Sequence, residues 1–479
     1  MALALLAAGC TVGPDFRPPA PPVVTAYTGQ PMPAQTVAAA VTGGASQSFN
    51  PGADIPGQWW SLFRSARLNE LIAAAFAANP TVQAAQAALR RANENVYAQE
   101  GDFYPKVDGS AGVSRQKDSG ALRGGQGSSV YNLFNATVAV SYTLDVFGGT
   151  RRRVESLAAQ ADFQRFQLEA TYLTLAANVA TAAIQIASLR GQIATTEDIV
   201  QIQSDALGVL RQQLSLGAIS VADVLAQEAQ LAQTRATLPP LQKSLTQTHN
   251  LLAALTGRFP SEVAAQDFDL ATLYLPENLP VSLPSALVRQ RPDIRSSESL
   301  LHSASAEIGV ATANMLPQIT LSADLGRAAT QAGELFSPGT GLWSIAAGLA
   351  QPIFNANQLQ HQKRAAVAAY EQAAAEYRST VLNAFQNVAD SLRALEYDAH
   401  ALQAQLAAER AAQRSLDVTR EQFSAGAISY LTLLNAQRTL QEARLGLVRA
   451  QASRYADTAA LFQALGGGWW NRPEAVATR

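Results

Sequence analysis

Cysteine and histidine are almost absent from this sequence, which has one Cys and four His among its 479 residues. A disulfide framework needs paired cysteines, and a Cys-based metal site needs several thiolates in one place. A single cysteine therefore excludes both classes. The four histidines are scattered along the chain, which leaves little basis for a histidine metal centre or for acid–base catalysis.

Charged residues are also scarce, at 15%, whereas hydrophobic residues reach 48%. A disordered chain has the opposite balance, so we expect a folded protein. The formal net charge is −2. A protein that binds nucleic acid needs a clustered basic face, and the charge balance gives no indication of one. The length suits two or three ordinary domains or a single elongated one.

Catalytic motifs are missing as well. The sequence has no nucleophile elbow, no phosphate-binding loop and no HExxH. Its nearest approach to a metal motif is Glu396 with His400, an isolated i,i+4 pair. A surface pair on a helix is the simpler interpretation, because di-iron bundles repeat their ExxH motif. We therefore predict that the protein is not an enzyme and has no cofactor or metal site.

The one cysteine follows a short apolar stretch. Residues 1–10 read MALALLAAGC and resemble a bacterial lipoprotein signal, in which residues 1–9 are removed and Cys10 is acylated. An incidental free thiol is the alternative, and the stretch lacks the basic residues that usually precede such a signal. Thr11 is a residue type that directs lipoproteins to the outer membrane. A lipid at Cys10 would anchor the chain there without spanning the bilayer.

Proline, glycine and small polar residues dominate the next segment, 13–58. Proline restricts φ and removes a hydrogen-bond donor, so such a segment favours extended backbone. We therefore expect residues 10–58 to form a lipidated N-terminus and an extended tether without a core of its own.

The remainder of the sequence repeats once. Four landmarks recur in the same order, at offsets between 207 and 212 residues: Asn79-Pro80 with Arg291-Pro292, Pro105 with Pro317, Phe147 with Phe354, and LGAIS at 216–220 with AGAIS at 425–429. Each repeat is predicted to contain a helix, two strands, a long helix and a return helix. We place the first repeat at 59–282, the second at 283–470 and a C-terminal tail at 471–479.

Two very long helices are predicted. Residues 357–425 contain neither Gly nor Pro, and residues 150–216 contain no Pro. Each run would form a helix roughly 100 Å long, which favours a coiled-coil-like assembly over a compact domain. An apolar heptad seam in the second run supports this interpretation. The seam consists of Val381, Phe385, Val388, Leu392, Leu395, Ala399, Leu402 and Leu406.

Residues 170–189 carry no charge, so a transmembrane helix is a second interpretation of the first long run. A polar stripe argues against it, because lipid tolerates such a face poorly. The stripe consists of Thr171, Thr174, Asn178, Thr181, Gln185 and Ser188.

The return helices are expected near 220–256 and 429–465, and we expect Pro239-Pro240 to interrupt the first of them.

Between the incoming and the long helices the apolar period changes to two. Residues 134–144 and 319–326 alternate between apolar and polar side chains, and residues 107–114 and 342–350 complete two hairpins. Such alternation over about ten residues is typical of membrane β-barrel strands, and a half-buried soluble sheet is the alternative. Four strands cannot close a barrel, since the smallest membrane barrels have about eight. Strands in a membrane would therefore require several chains to share one barrel.

Three segments resemble the TolC-like outer-membrane factor family, in its OprM/NodT lipoprotein branch. They are QWWSLF at 58–63, the segment 283–321 that contains RPDI, and QPIF at 351–354. The resemblance extends over about residues 58–467. The sequence departs from the family after QPIF, where Asn355, Ala356 and Asn357 replace the usual glycine-rich residues.

This resemblance implies a fold class and a function. The fold is a mixed α/β membrane protein, in which a long α-helical periplasmic barrel is continuous with a β-barrel completed by trimerisation, with four strands per chain. The function is the outer-membrane channel of a tripartite efflux pump, a passive exit duct for small toxic compounds. The implied partners are two further copies in a homotrimer, a periplasmic adaptor (membrane fusion) protein, an inner-membrane efflux transporter and outer-membrane lipid.

Other functions remain as alternatives. Ducts for type I protein secretion or for metal efflux have the same fold. A structural periplasmic coiled-coil lipoprotein would explain Cys10 and the heptads, but it would not explain the alternating strands.

The resemblance also assigns an adaptor-docking tip. Each long helix reverses at a glycine, and glycine suits a helix end because it accepts positive φ. The family has its periplasmic tip at these turns. The expected docking residues are Leu216, Gly217, Ala218, Ile219, Ser220, Ala425, Gly426, Ala427, Ile428 and Ser429.

A periplasmic aperture is expected just beyond each tip, where TolC itself carries acidic residues. The aperture candidates are Asp223, Leu431, Thr432, Leu434 and Asn435. Asp223 is matched by Thr432 in the second repeat, so an acidic ring would be weak and the two leucines would supply an apolar constriction. For Asp223 the alternative is a charge that stabilises a helix N-terminus.

Overall fold

Each half of the chain passes through the same order of helices and strands. The computed structural model describes residues 11–118, 128–262 and 267–472, so Cys10 and the predicted signal lie outside the described residues. The first half contains β1 (Ser48–Pro51), α1 (Ala66–Ala78), α2 (Pro80–Glu100), β2 (Lys106–Asp118), β3 (Ser129–Leu144), α3 (Gly149–Ser215) and α4 (Val221–Leu255). The second contains β4 (Asn278–Val281), α5 (Pro284–Gln290), α6 (Pro292–Ala313), β5 (Gln318–Ala329), β6 (Gly341–Ala350), α7 (Gln358–Ser424) and α8 (Tyr430–Ala464).

Internal contacts divide the chain into two units. The strand unit comprises Met1–Pro19, Ala88–Arg165 and Ser296–Arg378, and it contains the four long strands. The helix unit comprises Ala20–Ala87, Phe166–Arg295 and Ser379–Arg479, and it contains both helix turns together with β1 and β4.

A proline separates the two incoming helices of each repeat. Asn79 and Arg291 precede Pro80 and Pro292, and their ψ angles are 124° and 126°. A residue before proline avoids the helical region, so α1 and α5 end there. The next helix begins at the proline itself, whose missing N–H is not needed in a first turn.

The long helices α3 and α7 have 67 residues each, as the runs without proline predict. The uncharged part of α3 exposes one line of side chains, and every other residue of 175–189 is buried. That line is Thr174, Asn178, Thr181 and Gln185. Helix α3 is long and apolar enough to cross a membrane, yet 67% of its most apolar window is buried within the chain. The apolar faces are therefore used in packing, which favours a packed helix over a lipid-spanning one.

The heptad seam of α7 is buried as predicted. Seven of its eight residues are buried, and only Phe385 is half-buried. The ring of Phe385 lies 5.5 Å from that of Tyr27. A residue of the N-terminal segment therefore covers the one gap in the seam.

The expected interruption of the first return helix is wrong. Helix α4 continues from Val221 to Leu255 with Pro239 and Pro240 inside it. Each proline removes one N–H donor and so leaves a carbonyl without its helical partner. Both prolines and the residues four positions earlier, Arg235 and Ala236, are exposed, so water can reach the freed carbonyls.

The segment expected to be a tether is extended but not free. Its residues 48–51 form β1, which pairs in parallel with β4. Gln47 is fully buried, and its Nε2 donates hydrogen bonds to the carbonyl of Pro276 (2.9 Å) and to Thr458 Oγ1 (3.0 Å). Ile55 is also fully buried. Composition predicts the extended backbone, whereas the docking depends on partners that are remote in sequence.

A buried arginine holds the same segment. Arg454 on α8 is fully buried, and its Nη2 donates hydrogen bonds to Gln47 Oε1 (2.7 Å) and to the carbonyl of Ala45 (3.2 Å). Asp398 on α7 interacts with this charge. Burial raises the pKa of the Asp398 carboxyl to about 7, its hydrogen bond with Asp457 raises it as well, and the Arg454 charge opposes both effects. Asp398 therefore titrates near neutral pH.

We predict that the free energy of unfolding falls as pH rises from about 4 to about 7. The raised pKa means that the folded chain keeps a proton that the unfolded chain releases at lower pH. The stability contributed by Asp398 is fully present below the pKa that its carboxyl has in the unfolded chain. It is lost as pH rises through the higher pKa of the folded chain. Asp398→Asn should flatten this dependence in urea titrations at pH 5 and pH 8. The control is Asp390→Asn, at an exposed position of α7; an unchanged slope in Asp398→Asn would contradict the assignment.

The four long strands form one antiparallel sheet in the order β2, β3, β5, β6. Each hairpin comes from one repeat, and the two hairpins join through β3 and β5. Strand β2 extends to Asp118, farther than its weak alternation predicts. Strands β2 and β6 form the two outer edges, and each pairs with one strand only in the described part of the chain.

The turn between β6 and α7 contains two residues with left-handed backbone. Ala356 has φ 48° and Asn357 has φ 64°, whereas the matching turn of the first repeat uses Gly148 at φ 76°. Left-handed backbone brings a side chain's Cβ close to a carbonyl oxygen, which costs about 1–2 kcal/mol. The departure from the glycine-rich family pattern thus introduces local strain.

We predict that Ala356→Gly raises the free energy of unfolding by about 1 kcal/mol, because glycine accepts positive φ without strain. The measurement is the shift of the urea midpoint in detergent. The matched control is Asn357→Gly, which should have a smaller effect because asparagine tolerates this region. A lower midpoint for Ala356→Gly would show that the turn is not strained.

Candidate functional site: two helix turns and an open sheet

The two helix turns have the same backbone geometry. Gly217 and Gly426 have φ values of 72° and 71°. The N–H of the following residue, Ala218 or Ala427, donates a hydrogen bond to the carbonyl five positions earlier. This is a Schellman end, which satisfies the last carbonyls of a helix and requires glycine at the left-handed position. Glycine therefore stops both long helices at equivalent positions.

Most of the predicted docking residues are exposed at these turns. Leu216 is 77% exposed, and Ile219 and Ile428 are half-buried. The exposed remainder is Gly217, Ala218, Ser220, Ala425, Gly426, Ala427 and Ser429. The turns therefore present small and apolar groups to solvent, without a charged residue among the ten.

An apolar cluster lies next to both turns. It takes buried residues from all four helices α3, α4, α7 and α8, and half-buried Ile219 packs against it. Its buried members are Leu207, Leu210, Val224, Leu231, Ala412, Leu416, Tyr430, Leu433, Leu434, Leu440 and Ala443. The cluster therefore packs the helix pair α3 and α4 against the helix pair α7 and α8.

Asp223 forms a capping box at the start of α4. The N–H of Asp223 donates to Ser220 Oγ (3.3 Å), while the Asp223 carboxylate accepts from the N–H (3.1 Å) and the hydroxyl (2.7 Å) of Ser220. Burial, followed by the charge of Asp223, raises the pKa of Tyr430 to about 12. Tyr430 donates its hydroxyl hydrogen to Gln227 Oε1 (2.5 Å). These contacts favour the helix-stabilising interpretation of Asp223.

The aperture candidates of the second repeat are not equivalent to one another. Leu431 is 60% exposed, and Thr432 and Asn435 are exposed. Leu434 is only 7% exposed because it belongs to the apolar cluster below the turns. In the described chain the period of α8 turns Leu434 towards α3, α4 and α7, and its role in an aperture stays a prediction.

A glutamine-lined cavity between α3, α7 and α8 is not predicted by any sequence motif. Its volume is about 80 Å³, which is room for several water molecules. Gln203 is 1% exposed, and neither atom of its amide has a hydrogen-bond partner among the described residues. The sequence feature that indicates this cavity is a polar residue in an apolar seam, since Gln203 lies between Ile199 and Leu207. The cavity gives this part of the helix unit a polar interior.

The pair considered as a weak metal motif has a structural partner. The Glu396 carboxylate accepts a hydrogen bond from Arg393 Nη1 (2.6 Å), and His400 is exposed. Among the described residues, no group of three or more His, Cys, Asp or Glu is arranged to hold a metal ion.

Over residues 107–114, 134–143, 319–325 and 343–349, the register of the sheet separates apolar from polar side chains, and Arg115, Lys117 and Arg327 of the apolar face lie beyond these ranges. Val140 pairs with Val107 and Ala323, and Ala323 pairs with Ile345, so apolar positions of all four strands share one face. That face carries Val107, Val113, Phe134, Val138, Val140, Tyr142, Ile319, Leu321, Leu325, Trp343, Ile345 and Leu349. The other face carries Ser110, Ser114, Thr137, Ser141, Thr143, Thr320, Ser322, Asp324 and Ser344.

The apolar face has no cover within the described chain. Leu325, Trp343, Ile345 and Leu349 are between 67% and 78% exposed. A soluble sheet buries its apolar face against a core, so this exposure excludes the half-buried soluble sheet. An apolar surface of this extent is typical of a lipid-facing barrel wall.

Known proteins share this arrangement. The sequence model of the outer membrane efflux protein family matches residues 71–258 and 283–467, one match in each repeat. The chain belongs to this family. Its fold is that of the TolC-like channels: the outer-membrane channel OprN superimposes with a TM-score of 0.86 at 26% identity, over 96% of this chain and 100% of that one.

Two relatives show how far the sequence likeness extends. The pyoverdine export outer membrane protein OpmQ of Pseudomonas aeruginosa is 30% identical over 433 residues, which are 88% of this chain and 90% of OpmQ. The antibiotic efflux pump outer membrane protein ArpC of Pseudomonas putida is 30% identical over 474 residues, which are 98% of this chain and 95% of ArpC.

The family membership confirms the predicted fold class and the function as an outer-membrane efflux duct. It also confirms the outer membrane as the location. The relatives are efflux components and not enzymes.

We predict that Ser220→Ala destabilises the first turn of α4 by about 1 kcal/mol, because it removes half of the capping box. Ser429→Ala is the matched control, since Ser429 makes no side-chain cap at the start of α8. Hydrogen exchange of residues 221–224 and 430–433 would measure both effects. Equal loss of protection at the two turns would contradict the difference between the repeats.

Proposed function

We propose that three copies of this chain form the exit duct of a tripartite efflux pump for small toxic compounds. The open four-stranded sheet carries this proposal. In lipid, the outer edges of β2 and β6 would leave rows of unpaired N–H and C=O groups, each costing several kcal/mol. Pairing β6 of one copy with β2 of the next removes both rows.

Strand direction and barrel width support three copies. Strands β2 and β6 run in opposite directions, so a joint between copies is antiparallel like the rest of the sheet. Two copies would give eight strands, and the interior of an eight-stranded barrel is filled by side chains. Three copies give twelve strands and a wider, water-filled lumen lined by the polar face.

The helix turns are the proposed contact with a periplasmic adaptor. A trimer would present three copies of the turn at 216–220 and three of the turn at 425–429, so an adaptor meets six similar surfaces. The apolar groups of Leu216, Ile219 and Ile428 suit an apolar partner surface. An inner-membrane transporter supplies the energy, since a passive duct has none of its own.

The periplasmic aperture is proposed to involve Asp223, Leu431, Thr432 and Asn435. Asp223 would contribute three carboxylates to a trimer, and Thr432 would contribute none. The carboxylate is already engaged by Ser220, so its role in an opening is secondary to its role in capping α4. Exposed Leu431 is the better candidate for an apolar constriction.

A lipid at Cys10 is proposed as the anchor. The described chain begins one residue later and is held against the strand unit. Val12 donates its N–H to the carbonyl of Phe147 (3.0 Å), and Arg152 donates to the carbonyl of Val12 (3.1 Å) and to Asp15 Oδ1 (2.7 Å). Phe16 stacks on His302 at 4.3 Å. A lipid attached just before this segment would join the chain to the membrane close to the end of β3.

We infer small toxic compounds as the cargo from the branch of the family that the sequence resembles. OpmQ and ArpC are named for pyoverdine export and antibiotic efflux, so relatives of equal identity serve different cargoes. The choice of cargo then belongs mainly to the inner-membrane transporter. A duct for type I protein secretion and a duct for metal efflux are the alternative functions.

We expect native mass spectrometry of the full-length protein, extracted from outer membranes in mild detergent, to show three copies. Each should be heavier than residues 10–479 by the mass of the acyl and glyceryl groups on Cys10. Deleting the gene should raise susceptibility to small toxic compounds, and the wild-type chain should restore tolerance.

Other outcomes would assign another function. A water-soluble monomer with unmodified Cys10 would leave a periplasmic scaffold as the better account. A trimer whose loss impairs only protein secretion or metal tolerance would support the corresponding duct.

A further inference from the structure

The turns that follow the two hairpins differ in how they are covered. Phe147 and Phe354 occupy equivalent positions in the two repeats. Phe147 is half-buried, and its carbonyl accepts the hydrogen bond from Val12. Phe354 is 91% exposed and Ile353 is 95% exposed. The N-terminal segment thus covers the first turn, and no described part of the same chain covers the second.

The uncovered turn lies next to a free sheet edge. Strand β6 ends at Ala350, three residues before Ile353, and all ten of its residues are exposed. Strand β2, at the opposite edge, has exposed residues at every position but its last. When β6 of one copy pairs with antiparallel β2 of the next, residues that follow β6 approach residues that precede β2. The second turn therefore faces the start of the neighbouring hairpin.

The tilt of barrel strands determines which residues meet. Within one chain, pairing through Ser141 and Ser322 places Lys106 of β2 level with Ala346 of β6. Strands in a closed barrel tilt by roughly 40° and lie about 4.8 Å apart. Over four strands this tilt introduces an offset of about five residues between one copy and the next.

The handedness of the sheet sets the direction of this offset. Ala328 of β5 donates its N–H to the carbonyl of Thr340 (3.0 Å), so even-numbered residues of β5 hydrogen-bond towards the β6 side. For L-residues, β6 then lies to the left of β5 when the apolar face is viewed with β5 pointing up. Right-handed twist makes the strands lean to the right in this view. Ala346 therefore faces a residue near Ala111 of the next copy.

We propose that Ile353 and Phe354 pack against Phe103 and Tyr104 of the next copy. Continued past the end of β6 and the start of β2, the count that pairs Ala346 with a position near 111 brings Ile353 near Tyr104 and Phe354 near Phe103. Tyr104 is 70% exposed and Phe103 is half-buried, so both sides present aromatic or apolar groups. This contact covers the second turn as the N-terminal segment covers the first. It rests on the proposed trimer and names the residues that seal its joint at the helical end of the barrel.

Cysteine crosslinking in native outer membranes tests the contact. The first pair is Ile353→Cys with Tyr104→Cys, and the second is Phe354→Cys with Phe103→Cys, which serves if variants of the first pair fail to fold. Mild oxidation should give covalent dimers and trimers. The control pair is Ile353→Cys with Tyr97→Cys, since Tyr97 is 62% exposed but lies on helix α2, nine residues before β2 begins. We expect about tenfold less crosslinking from the control.

Further measurements separate this contact from the trimer itself. Chains that carry one substitution each, expressed together, should still give dimers, which shows that the link joins different copies. Native mass spectrometry without oxidation counts the copies independently. A trimer without crosslinks from either test pair would overturn the contact, place residues 353 and 354 against lipid and leave the proposed duct intact. A monomer would overturn both.

Discussion

The unpaired backbone groups along the outer edges of β2 and β6 constrain the rest of this structure. A hydrocarbon environment offers no hydrogen-bond partner to an exposed N–H or C=O group. The apolar face of the sheet belongs in that environment, yet four strands leave two edges open. The single chain is therefore an incomplete wall, and its sheet needs further copies before it reaches its lowest free energy. The exposed turn after β6 has the same origin, because its cover belongs to another copy.

Duplication explains why each helix and strand has a counterpart in the other repeat, and the differences between the two repeats indicate function. Both helix turns use the same glycine geometry, because both long helices must stop and reverse. Only the first turn has an acidic capping box, since Asp223 has Thr432 as its counterpart. Within the described residues, the N-terminal segment covers the turn after the first hairpin but not the turn after the second. The two repeats therefore keep the same fold but contact different neighbours.

Local sequence patterns predicted the regular elements well and the irregular contacts poorly. The absence of proline predicted α3 and α7, and the apolar heptads predicted the buried seam of α7. The prolines at 239 and 240 were expected to break α4, yet the helix continues because the affected carbonyls lie at the exposed surface. Leu434 was assigned to an opening, whereas the packing of four helices buries it. In both places the exposure of a residue depends on neighbours that are remote in sequence.

The sequence by itself determined the period of each segment, the stop at each glycine, the duplication and, through its likeness to known channels, the family. These features follow from residues close together along the chain, where backbone sterics and side-chain alternation act locally. Only the tertiary structure decided that residues 36–55 dock on α8 and β4, that Arg454 is buried beside Asp398, and that one apolar face extends across all four strands. Those outcomes depend on strand register and on hydrogen bonds between distant residues, which no local pattern specifies.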